Sequence, residues 1–142
     1  MTYEEYLEQN GTLTYRNVGI SMLPLLKQGR DLFTLEKKSE QRCKKYDVVL
    51  YRRKQRYILH RIIKVREEDY VILGDNCVNK EFGIRDEDIL AVMTSFVRKG
   101  KKISCDNKAY KLYSRIIVAV YPLRRCVWKI KIFANKILKS IF

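Results

Sequence analysis

A serine hydroxyl attacks a carbonyl only when a base takes its proton, so we asked first which serine in this chain could meet which base. The chain has one histidine, His60, in the run Tyr57-Ile58-Leu59-His60-Arg61-Ile62-Ile63. Strand alternation puts Ile58, His60 and Ile62 on one face, where the isoleucines desolvate the imidazole and favour its neutral form near physiological pH. Ser21 lies in Gly19-Ile20-Ser21-Met22-Leu23-Pro24-Leu25-Leu26, a stretch that fits neither the strand nor the helix period and reads as a shaped turn entering a helix. Each residue also has a plainer reading: His60 as a half-buried structural histidine, Ser21 as a helix N-cap. Cys43, Cys77, Cys105 and Cys126 show no C-x-x-C pair and no adjacent histidine, so metal binding is not expected and the thiols read as reduced. No cofactor is expected.

The elements that must carry these residues are mostly strands. Thr2 with Glu5 three residues on forms a capping-box pattern, and Gly11 suits the end of a short helix over Tyr3 to Asn10. Strands are expected from Thr12, over Asp31 to Glu36, Asp47 to Arg52, Tyr57 to Val65 and Tyr70 to Leu73, and in a hairpin of Ala91 to Arg98 with Lys101 to Cys105 around Lys99-Gly100. One helical turn is expected over Arg85 to Ile89. The fold class is therefore mainly β, with residues 1–105 as one domain and 106–142 as a helical tail.

Charge separates the same two parts. Residues 98–142 hold 13 Lys or Arg against the single Asp106, whereas the first 97 residues carry 17 against 15. From Leu123 the apolar residues Val127, Ile130, Phe133, Ile137, Leu138 and Ile141 recur at helical spacing with lysines between them. The uncharged run Ile116 to Leu123 is eight residues, far below the ~20 that a bilayer span requires. A basic amphipathic helix at an interface fits better. The opening residues MTYEEYLEQNG show neither a basic n-region nor an apolar run, so no signal peptide or amino-terminal span is expected. The localisation that follows is cytoplasmic, peripheral at the inner membrane.

Four segments in order add a further argument: Ser21-Met22-x-Pro24, Lys45-Tyr46-Asp47-Val48-Val49-Leu50, His60-Arg61-Ile62-Ile63 and Gly74-Asp75-Asn76. Over residues 17 to about 97 this set resembles the signal peptidase family of serine peptidases, and His60 aligns the chain with the branch that uses histidine as base, the endoplasmic-reticulum type. The resemblance implies coiled antiparallel sheets of the signal-peptidase and repressor carboxyl-terminal-domain type. It implies that Ser21 forms an acyl-enzyme, with His60 as base and then acid, and that Glu81 or Asp75 orients the imidazole. Gly19, Met22 and Leu23 are the expected substrate-side residues, with core packing the alternative for Met22 and Leu23. Gly19 and Leu25 depart from the family, which often has a hydroxyl residue at the first position and a threonine at the second.

The function expected is a serine endopeptidase that cuts a specific peptide or leader; the alternative is a noncatalytic module that keeps the fold to bind a peptide or protein. Expected partners are a peptide or protein substrate and an anionic membrane surface through residues 110–142. Nucleic acid is disfavoured, because the basic residues of the tail interleave with Ile and Val instead of with stacking aromatics.

Overall fold

The computed structural model describes residues 1–141. Its elements are α1 (Tyr3–Asn10), β1 (Thr12–Arg16), β2 (Leu32–Lys37), β3 (Val48–Arg53), β4 (Arg56–Val65), β5 (Tyr70–Leu73), β6 (Glu81–Ile84), β7 (Ile89–Arg98), β8 (Lys101–Ser104), α2 (Lys108–Ala119) and α3 (Tyr121–Ile141). A 3-10 turn over Asp86–Asp88 precedes β7. The Thr2/Glu5 capping box forms, and Gly11 ends α1 in the left-handed conformation (φ 75°) that glycine adopts without Cβ strain.

The strands make one antiparallel sheet in the order β1-β2-β7-β3-β4-β5-β6, with β8 paired to the far half of β7. The sheet curls, so β3 is buried on both faces. Val48 and Leu50 join one core cluster with Leu26, Leu35, Met93 and Phe96; Val49 and Tyr51 join another with Ile62, Tyr70 and Ile72. This is the period-two division of a strand between two cores. A bulge opposite Leu50/Tyr51 carries Ile89 of β7 to the second cluster while Ala91 stays in the first, as one inserted residue must.

Some expectations differ from what is observed. Residues 21–26 form consecutive turns and not the entry to a helix. Pro24 has no N–H to give, it disfavours helical backbone at Leu23, and the Leu23–Pro24 peptide is cis. The helical segment is also no mere appendage: Asn107 caps α2, and its face of Tyr110 and Ser114 is buried, with Tyr110 in the first core. One antiparallel sheet carries all the strands, as the mainly β expectation requires. A strand over Glu81–Ile84 was not expected, since four residues containing Gly83 show no readable alternation.

Candidate active site

Ser21 is positioned from two sides. On one, the segment 17–31 closes on itself: Asn17 N–H donates to the Asp31 carbonyl at 2.9 Å, and the Asn17 amide reaches the Leu26 carbonyl at 3.2 Å. The buried Asp31 carboxylate accepts from Lys27 N, Lys99 N and Arg30. The Arg30 bond holds that carboxyl at about 2, with the Lys27 and Lys99 amides adding to the effect against the cost of burial. On the other side, the turn Gly74-Asp75-Asn76 grips the serine peptide: Asn76 N–H donates to the Ser21 carbonyl at 2.8 Å and the Asn76 amide to the Ile20 carbonyl at 3.1 Å.

Gly74 marks where the parts converge. A Cβ there would lie 2.8 Å from the Ser21 carbonyl oxygen, 2.9 Å from Cδ2 of His60 and 2.7 Å from Sγ of Cys77. Only a residue without a side chain allows the serine turn, the base strand and the 74–77 turn to approach this closely.

His60 lies on β4 opposite Val49, which makes Tyr51 its diagonal neighbour on β3. Oη of Tyr51 is 3.3 Å from Nδ1 of His60 and donates its proton to Oε2 of Glu81 at 2.8 Å. Arg53 pairs with the other oxygen of that carboxylate. Burial, then the Glu81 bond, holds the Tyr51 phenol far above its ordinary value, so it stays protonated. With its one proton committed to Glu81, the hydroxyl can only accept from Nδ1–H, which leaves Nε2 as the basic nitrogen. Desolvation pushes the His60 pKa below its ordinary value, and the charges of Glu81 and then Asp75 pull against it. Burial thus favours the neutral imidazole, and the Tyr51 hydroxyl favours the tautomer with its proton on Nδ1.

Nε2 has Sγ of Cys77 at 3.9 Å, and the same sulfur is 4.0 Å from the Ser21 carbonyl oxygen. The half-buried Ser21 hydroxyl makes no hydrogen bond among the described residues, to His60 or otherwise. A groove of about 380 Å³ walled by Asn17, Val18, Ser21, Arg56 and Tyr57 opens at the serine. A second cleft of about 320 Å³ shares Asn17, Val18 and Tyr57 and continues past Tyr15 and Phe33, so the two form one trough along β1.

The two acids occupy different positions. Glu81 reaches the imidazole through Tyr51. Asp75, 3% exposed, forms a two-pronged pair with the fully buried Arg61 at 2.8 and 2.9 Å and accepts a third bond from Tyr113 at 2.8 Å. Arg61 also bonds the Tyr46 carbonyl and Ser114, which makes this pair the latch between the sheet and α2. Of the substrate-side residues, Gly19 is half-buried with φ 84° and Leu23 is half-buried. Met22 is 1% exposed and packs in the first core, and none of the three lines the groove at the serine.

Tyr51, Arg53 and Cys77 were not singled out from the sequence. Tyr51 had a signal, since a tyrosine at a strand position two from the partner of His60 becomes visible once the β3/β4 register is assumed. No family model matches the chain, and no curated protein or solved structure matches it.

Proposed function

We propose that this protein is a serine endopeptidase of the signal-peptidase-like class, with Ser21 as nucleophile and His60 as general base. The observation that carries the reading is the convergence at Gly74, where the serine turn and the imidazole flank one point, together with the Tyr51–Glu81 chain that leaves Nε2 free to accept a proton. A peptide in the trough along β1 presents its scissile carbonyl to Ser21. As Oγ attacks, its proton passes to Nε2 and the carbonyl oxygen becomes an anion beside the backbone N–H of Ser21. The imidazolium then gives that proton to the departing amine as the C–N bond breaks. Water, deprotonated by the same nitrogen, hydrolyses the acyl-enzyme. The substrate class is a specific peptide or leader, and the Arg61–Asp75 latch holds the site from behind.

One observation favours a second reading, a noncatalytic peptide-binding module: Nε2 has the Cys77 thiol at 3.9 Å, while the Ser21 hydroxyl makes no hydrogen bond to it. Burial raises the Cys77 pKa, so this sulfur is a poor nucleophile in place of Ser21. A fluorophosphonate probe separates the readings. Labelling of the wild type and of Cys77→Ala, lost in Ser21→Ala and in His60→Gln, supports the peptidase. Absence of labelling at every pH, with peptide binding intact, supports the module.

A further inference from the structure

Helix α3 is held to the domain at its first turn and is exposed from Arg125 onward. Its first turn is held by Tyr121, which is buried, donates to the Val78 carbonyl at 2.5 Å and lies under the Lys80 ammonium at 5.2 Å. At 100° per residue, Leu123, Val127, Ile130, Phe133, Ile137, Leu138 and Ile141 fall on the side opposite Tyr121, in an arc roughly 140° wide that contains no Lys or Arg. That arc is open to solvent: Leu123 is 67% exposed, and Ile130, Phe133 and Ile141 are each 66%. On α2, Leu112 and Ile116 are exposed in the same way. Trp128 and Ile132 fall outside the arc, among the basic side chains.

Charge decides what could cover it. From Asn107 to the end of the chain there are nine Lys or Arg and no acid. On α3, Arg125, Lys129, Lys136 and Lys139 line the side opposite the arc, and Lys131 borders it. A second copy meeting this face would bring lysines against lysines, with no acidic residue to pair them across the seam. Nucleic acid would neutralise the lysines and leave the apolar arc in water. An anionic bilayer satisfies both, taking the arc into the acyl boundary and the ammonium groups into the headgroup layer. Among the described residues no helix is long and apolar enough to cross a membrane, so the fit is to an in-plane helix.

We propose that α3, with the exposed side of α2, is a docking surface for an anionic lipid bilayer. The helices are tied to the candidate site through Tyr113 on Asp75, Ser114 on Arg61 and Tyr121 on Val78, so docking fixes the 74–78 turn relative to the bilayer. That this presents the site to chains lying at the membrane surface rests on the peptidase reading; the docking itself does not.

The test is flotation of the full chain with vesicles of phosphatidylcholine alone and of phosphatidylcholine with phosphatidylglycerol. The expected result is flotation with the anionic vesicles at least roughly tenfold above the neutral ones, released by added salt. The double variant Ile130→Asn/Phe133→Asn and the double variant Lys129→Gln/Lys136→Gln should each weaken it roughly tenfold, with the circular dichroism spectrum of the domain unchanged. Ser21→Ala should float like the wild type, so loss of docking and loss of the peptidase site are read separately. No flotation, equal flotation on both vesicles, or a dimer in sedimentation velocity that dissociates in Ile130→Asn/Phe133→Asn would overturn the proposal.

Discussion

Asp75→Asn isolates what the buried latch contributes. The substitution keeps the volume and removes the charge, leaving Arg61 at 0% exposure without its counter-ion, with one amide oxygen at position 75, the Tyr46 carbonyl, Ser114 and Tyr110 as neutral partners. Removing one member of a buried ion pair costs about 3–5 kcal/mol, because the remaining charge keeps its desolvation penalty and loses its attraction. Against a total stability of about 5–15 kcal/mol for a domain, that is a large share. With a urea dependence of about 2 kcal/mol per molar, the unfolding midpoint should fall by roughly 2 M, measured by circular dichroism. Because Tyr113 and Ser114 attach α2 to this pair, amide exchange over residues 108–119 should accelerate more than in β2. A midpoint shift below roughly 0.5 M would refute the account of Asp75 as a brace.

Four other outcomes follow from the same geometry. Tyr51→Phe leaves Nδ1–H of His60 without an acceptor, a loss of about 1–3 kcal/mol, so phosphonate labelling should slow roughly 5- to 150-fold; a rate within about twofold of wild type would exclude the tyrosine link. Gly74→Ala drives a Cβ into the Ser21 carbonyl and the His60 ring, and labelling should fall to background while the far-ultraviolet spectrum persists. Desolvation lowers the His60 pKa, so the acid limb of the labelling rate should have its midpoint below the ordinary value of about 6.5, and Glu81→Gln, which removes a charge that pulls this pKa up, should move the limb to still lower pH. Asp31, held at about 2 in the fold, contributes about 2 kcal/mol above pH ~4 that is lost as pH falls toward 2; the stability gap between wild type and Asp31→Asn should narrow over that window and change no further below it.

Much of the scaffold was legible because its signals are local. The capping box at Thr2 and Glu5, Gly11 as helix end and the alternation of Tyr57 to Val65 each rest on neighbours within a few residues. The hairpin around Lys99-Gly100 was legible for the same reason, Gly100 taking φ 78° at its turn. What escaped depends on contacts across the chain. The irregular period of Gly19 to Leu26 suggests a shaped turn but not that no helix follows it, because its turns are set by Pro24 and by Asn76, which binds Ile20 from fifty-six positions away. The difference between Glu81 and Asp75 could not be read from order along the chain. It depends on Arg61 claiming one and Tyr51 the other, partners supplied by strand register. α2 reads as part of the helical tail because its buried face is polar, Tyr110, Tyr113 and Ser114 clasping Arg61, a contact that spans about fifty positions of chain.

His60 is the only histidine, so a single pair of imidazole resonances in ¹⁵N-histidine spectra reports the candidate base without assignment. The account predicts one neutral tautomer with the proton on Nδ1, titrating below about 6.5, whose pKa rises after a phosphonate reacts with Ser21 and does not move in Ser21→Ala. A proton on Nε2 in the free protein, or a titration that the phosphonate leaves unchanged in the wild type, would contradict it.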